Sequence, residues 1–193
     1  MRHKIFLFST LIIVLLFFLS FSVFGQEYPD YFAIKAGIYS PTGDLDDLNQ
    51  GSGFNGEVAY GHYLPPNFAM EVGLGYFKSD DDVSVVPITL TGQAVSKSAP
   101  FEFYGGIGVG IYFASFDGAL GRYVYIDDDD YAFGMNFNAG ARYDIKKDLF
   151  LGAEIKYLVT TDAEFNGVAS GNPIRVDANL NGFFLTVNLG LRF

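Results

Sequence analysis

Eight charged residues stand where this 193-residue chain could do chemistry inside its fold: Lys35, Glu57, Glu71, Glu102, Arg142, Glu154, Lys156 and Arg192. Each lies on the face opposite a run of apolar side chains. Acids and bases are balanced in this set, although the whole chain carries a formal charge of −10. Such groups can pair and hydrogen-bond into a polar core, line a conduction path or gated plug, or form a catalytic cluster. The polar core is the preferred reading and the catalytic cluster the least favoured.

Catalytic and metal chemistry have little else to draw on. The chain has no cysteine, which excludes disulfides, thiolate metal sites and cysteine nucleophiles. Its histidines are His3, within the leading apolar segment, and His62, at the rim of a strand. His62 is read as structural or surface-exposed. No phosphate loop, nucleotide fingerprint or zinc-protease spacing occurs. No catalytic, cofactor-binding or metal-ligating residue is therefore assigned, and no cofactor is expected. Acidic clusters at Asp44, Asp46 and Asp47, at Asp80–Asp82 and at Asp127–Asp130 lack calcium-loop spacing. They read first as solvated loops and second as sites for Ca²⁺ or Mg²⁺. The acidic surface should repel nucleic acid.

The elements that would position the eight residues are strands. The last eleven residues alternate strictly. Phe183, Leu185, Val187, Leu189, Leu191 and Phe193 share one face, and Phe184, Thr186, Asn188, Gly190 and Arg192 share the other. A lipid-facing strand of a barrel needs about 9–11 residues per crossing with one apolar face. Similar stretches are predicted at residues 31–42, 54–64, 68–78, 83–96, 101–114, 131–143 and 149–161, with the last from Ile174 or Leu180 onward. The fourth is the least clear, because Pro87 removes a ladder donor and its alternation is blurred.

The predicted fold is an all-β, eight-stranded antiparallel transmembrane up-and-down β-barrel. Short turns are expected at 65–67, 97–100 and 145–148. The other connections fall at 43–52, 79–82, 115–130 and 162–173, and three of these four are longer. Closure leaves no unpaired edge in lipid. A barrel this narrow is filled by side chains or holds one small ligand. Its inward glycines either relieve crowding from Tyr104 and Tyr112 or leave a cavity. Tyr39, Tyr60, Tyr76, Tyr125, Tyr131, Tyr143 and Tyr157 are expected at the membrane–water boundary. A soluble eight-stranded carrier would instead keep its large apolar side chains inside.

Residues 1–25 read as a secretory signal, with Arg2 and Lys4 before an apolar run and Val23 and Gly25 at the cleavage site. An uncleaved anchor is the alternative. Residues 26–193 then form one barrel domain.

The pattern resembles the small bacterial outer-membrane β-barrel families, the group that includes OmpW-like, OmpX-like and OmpA transmembrane-domain-like proteins. The signal ending at Gly25 carries part of the likeness. The segment Pro87-Ile88-Thr89-Leu90-Thr91, followed by the glycine-rich Phe103–Phe113, carries more. The terminal Leu189-Gly190-Leu191-Arg192-Phe193 looks like the barrel-assembly signal, with Leu189, Leu191 and Phe193 as its apolar residues. The resemblance implies residence in the cell outer membrane, among its lipid and lipopolysaccharide. It also implies the Sec export route, periplasmic chaperones and the barrel assembly machinery as partners, and a monomer. OmpW-like members are associated with passage or binding of small hydrophobic compounds, and the porin-family likeness suggests a structural or transport role. An adhesion or host-interaction module acting through the outer loops is the first alternative. An outer-membrane lipid-modifying enzyme is the second, for which His62 has no obvious partners.

Overall fold

The computed structural model describes residues 29–47, 51–79, 83–120, 124–169 and 172–193. The expected signal at 1–25 lies outside the described residues, as do Asp80–Asp82.

Alternation produces ten strands: β1 (Asp30–Pro41), β2 (Gly53–Leu64), β3 (Phe68–Ser79), β4 (Val83–Ser98), β5 (Phe101–Leu120), β6 (Val124–Asp144), β7 (Leu149–Thr160), β8 (Asp162–Ala169), β9 (Asn172–Asn179) and β10 (Gly182–Arg192). One four-residue helix, α1 (Asp44–Asp47), follows β1. Eight strands close a ring in the order β1-β2-β3-β4-β5-β6-β7-β10, and β10 returns to β1. Every pairing is antiparallel. The seam is continuous from Tyr31↔Arg192 to Pro41↔Gly182. Phe193 and Asp30 extend it with two backbone bonds of 2.9 and 3.0 Å.

The outer wall is apolar, as a surface against hydrocarbon must be. Ile34, Ile38, Phe54, Leu74, Phe103, Val109, Phe133, Leu151, Leu185 and Val187 all project outward and exposed. Because a strand has period two, the intervening residues fill the bore.

The bore is stratified. Toward the short turns it holds charged and aromatic side chains. Toward the long loops it is apolar, with Tyr39, Phe77, Val83, Val85, Tyr112, Phe116, Leu158 and Phe184 in one buried cluster. Leu45 of α1 joins that cluster and is fully buried. The expectation of a polar or small inward face therefore fails at the loop end. Tyr39 is likewise not an interfacial aromatic: it is buried in the bore and donates to the Leu180 and Asn181 carbonyls at 3.0 and 3.1 Å. Tyr76, Tyr131 and Tyr143 do stand exposed on the wall.

Two expected loops are also corrected. Residues 115–120 and 124–130 are strand: β5 and β6 continue as a ladder to Leu120↔Val124. Residues 162–169 form β8 and residues 172–173 begin β9, a hairpin carried on β6 by Val124↔Ala169, Tyr125↔Val168 and Ile126↔Gly167. The last barrel strand begins at Gly182 rather than at Ile174 or Leu180. Beyond lipid a strand needs no apolar outer face, so its sequence signature fades there.

The inward glycines make room for rings. A Cβ on Gly140 would collide with the Tyr104 ring, and one on Gly134 with the Tyr112 ring. Of the two expectations for these glycines, relief of crowding is the one the packing supports.

Candidate functional site

Adjacent inward positions on closed, sheared strands project across a narrow bore. Side chains from opposite walls therefore meet. All eight inward charged residues are brought into one web. Lys35 of β1 lies 2.6 Å from Glu71 of β3, 2.9 Å from Glu57 of β2 and 3.3 Å from Glu154 of β7. Lys156 of β7 lies 2.6 Å from Glu57 and 3.7 Å from Glu154. Arg142 of β6 lies 2.7 Å from Glu102 of β5 and 3.5 Å from Glu71. Arg192 of β10 lies 3.4 Å from Glu102 and 2.5 Å from Asp144. Glu71 thus joins the lysine half of the web to the arginine half.

Six of the eight charges are as buried as core hydrophobes, with Arg142 and Lys35 only 2% exposed, while Lys156 and Arg192 are partly buried. Burial of this kind is tolerated only with partners on every lone pair and proton. Tyrosines supply many of them. Tyr31 donates to Glu71 at 2.7 Å, Tyr63 to Glu102 at 2.7 Å and Tyr104 to Glu154 at 3.0 Å. Arg142 donates to Tyr31 at 2.9 Å and to Gln93 at 3.2 Å, and its guanidinium lies over the Tyr31 and Tyr104 rings. Asn138 donates to Glu154 at 3.1 Å. Sequence reasoning missed Tyr31, Tyr63, Gln93 and Asp144. Strand parity turns the first three inward, but no local signal pairs residues across the bore.

Several of these bonds join strands that are not neighbours in the ring. Lys156–Glu57 links β7 to β2, and Arg142–Glu71 links β6 to β3. The turn half of the bore is therefore bridged by direct contacts between opposite walls. The eight inward residues are four acids and four bases, and Asp144, through Arg192, and Lys97, through Glu102, add one of each at the rim. Ion pairs of this type hold walls together. They give no open row of like charges along which one ion species would move.

Among the described residues, the β3–β4 ladder is broken beside the apolar half, with its register unchanged. The β3–β4 ladder runs to Leu74↔Ile88 and resumes at Phe77↔Val85. Pro87, which has no N–H to donate, sits in the gap opposite Gly75. A Cβ on Gly75 would come to 3.0 Å from the Pro87 ring. On the outer face of β1–β3 is a shallow, open depression of about 410 Å³. It is lined by Ile34, Ala36, Phe54, Gly56, Val58, Leu74, Gly75 and Tyr76, together with Lys35 and Glu57 of the web.

The acidic loops do not form a metal centre among the described residues: no group of three or more suitable ligands occurs there. Asp128 accepts from the Asn166 backbone and side chain, both at 2.8 Å, and Asp130 from the Glu164 backbone at 2.7 Å. These bonds to Asn166 hold the Asp128 carboxyl below the ordinary aspartate range. His62 pairs with Asp30 at 2.5 Å, and Tyr60 donates to the same carboxylate at 2.6 Å. Leu189, Leu191 and Phe193 project from the wall into the surroundings.

Comparison with known proteins gives a consistent picture. The family described as outer membrane protein beta-barrel domain matches residues 11–193. No curated protein sequence matches the chain. Among solved structures, OprG of Pseudomonas aeruginosa is similar at a TM-score of 0.62 and 17% identity, over 88% of this chain and 98% of that one. Neisserial surface protein A gives 0.61 and 16%, over 84% and 95%. Ail, the attachment invasion locus protein of Yersinia pestis, gives 0.51 and 13%, over 87% and 100%. At these identities the likeness is one of fold.

Proposed function

Because this chain belongs to the outer membrane protein beta-barrel domain family, we propose that it takes small apolar compounds into the loop half of its bore and exchanges them sideways with the membrane. It is a non-enzymatic outer-membrane β-barrel. The observation that carries the reading is the break in the β3–β4 ladder at Pro87 beside the apolar inner cluster, with a shallow depression on the adjoining outer face of β1–β3. Phe77 and Val85 of the inner cluster pair with each other where the ladder resumes.

In this reading the charged web closes the turn half to ions and polar solutes. Lys35, Glu57, Glu71, Glu102, Arg142, Glu154, Lys156 and Arg192 act together as that seal. An apolar compound would avoid the seal by leaving through the wall. We also read residues 1–25 as a removable export signal. Leu189, Leu191 and Phe193 are read as the residues the assembly machinery recognises. The exposed apolar side chains of Leu189 and Leu191 on the last strand, and of Phe193 just after it, support that role.

The test uses liposomes carrying the refolded barrel. Uptake of apolar solutes should proceed with little ion conductance. Pro87→Val restores a backbone donor to the gap and should slow uptake severalfold while leaving the fold intact. Equal uptake by both proteins would remove the sideways route.

A further inference from the structure

The ring of eight strands has no edge, but the β8–β9 hairpin does. In the sheet order β9 is terminal, next to β8 alone. The direction of its backbone groups follows from three bonds. Glu164 and Asn166 of β8 point their N–H groups at Asp130 and Asp128 on β6. Their partners across the β8–β9 ladder, Asp177 and Arg175, therefore point away from β8, by the alternation of an antiparallel pair. Asn179 agrees: its N–H leaves the hairpin and meets Asp44 at 3.1 Å. Arg175 and Asp177 thus present their N–H and C=O groups along an edge that no described strand covers.

That edge is complementary to itself. An antiparallel copy centred on Val176 sets Arg175 opposite the second copy's Asp177, and Asp177 opposite its Arg175. Both are residues whose backbone groups face outward, so each pair exchanges two backbone hydrogen bonds. The side chains match as well. Arg175 now pairs with Asp177 at 3.0 Å and with Glu164, all three being exposed. Across the dyad each guanidinium meets the carboxylate of the other copy. An unrelated strand would have no such fixed charge register.

We propose that β9 is a homotypic docking edge, pairing two copies of this chain through Arg175 and Asp177. The two-fold axis of an antiparallel pair is perpendicular to its sheet. Because the hairpin continues the barrel wall through β6, that axis crosses the barrel axis rather than running along it. The two barrels then point in opposite directions, which places them in two facing membranes. The consequence is contact between cells that carry the same protein. This proposal is independent of the route for apolar compounds.

The experiment is clustering of liposomes that carry the full barrel, followed by light scattering. Wild-type vesicles should cluster. Arg175→Asp and Asp177→Arg each turn two opposite-charge pairs into like-charge pairs and should slow clustering about tenfold. Vesicles carrying Arg175→Asp mixed with vesicles carrying Asp177→Arg restore both pairs and should cluster like wild type. Heat-dependent gel mobility confirms that each variant is folded. Rescue in the mixture has no explanation in an ion pair confined to one hairpin. Failure of wild-type vesicles to cluster, or of the mixture to recover, overturns the proposal.

Discussion

Lys35 and Glu71 face each other across the bore with nitrogen and carboxylate oxygen 2.6 Å apart, both side chains buried. Lys35 also serves Glu57 and Glu154, so one ammonium offsets three carboxylates. Lys35→Met would leave those acids with Lys156 and Arg142 as their cations, beside the neutral donors Tyr31, Tyr104 and Asn138. Breaking a buried pair from one side costs about 3–5 kcal/mol. Urea unfolding of the refolded barrel should show a loss of that order. A loss no larger than a surface substitution gives would mean that the web is not structural.

The faces of the strands make a second expectation. Val187 projects from the middle of β10 and is 62% exposed on the wall. Val187→Arg sets a charge in hydrocarbon and should cost about 2–4 kcal/mol at mid-depth. The comparison is Val168→Arg on the hairpin, where water surrounds the side chain and the cost should be small. Folding yields into liposomes measure both. Equal yields would mean that Val187 does not face lipid.

Much of this was legible from the chain. The inward parity of Lys35, Glu71 and Arg142 followed from apolar neighbours on either side, because lipid enforces alternation. Three parts were not legible. In β4 the loop-end residues Val83 and Val85 face inward yet are apolar, so both faces look alike there. In β5 and β6 the ladder continues past the lipid, where Asp127–Asp130 read as a loop. The third part is the pairing across the bore. Tyr31 to Glu71, or Lys156 to Glu57, depends on barrel shear and diameter, which no local pattern records.

The hairpin should respond to acid through Asp128. Its folded carboxyl is held below the ordinary value by the Asn166 bonds. The contribution is therefore complete above the unfolded value of about 3.9, and it is lost as pH falls through the lower folded value. The Asn166 amide resonance should be constant from neutral pH down to about 4 and move only below it. Asp128→Asn should abolish that movement. An Asn166 shift that titrates at an ordinary aspartate value would contradict the bond.

Asn188 is buried, yet neither its amide nitrogen nor its amide oxygen meets a protein partner among the described residues. Asn138 is its contrast, because its nitrogen serves Glu154. An unmatched buried polar group costs about 1–3 kcal/mol, and an apolar group of the same shape removes that cost. Asn188→Leu should therefore raise the unfolding midpoint, whereas Asn138→Leu should lower it. The same denaturant experiment reads both. A lower midpoint for Asn188→Leu would place a bound water or another partner at that amide.

Gly190 and Phe150 face one another on paired strands. A Cβ added to Gly190 would fall within the Phe150 ring, and the three nearest atoms all belong to that ring. The glycine is therefore required by one side chain and not by the backbone. Gly190→Ala should destabilise the barrel by about 1–3 kcal/mol through overpacking. Phe150→Leu alone should also destabilise it, because it opens space in the aromatic floor that Phe150 shares with Tyr31. Together the changes compensate: the alanine occupies part of the volume that the ring vacates. The double variant should be more stable than the sum of the singles, with a coupling of about 0.5–3 kcal/mol. A double-mutant cycle in denaturant measures that coupling, and strict additivity would show that Gly190 answers to something other than Phe150.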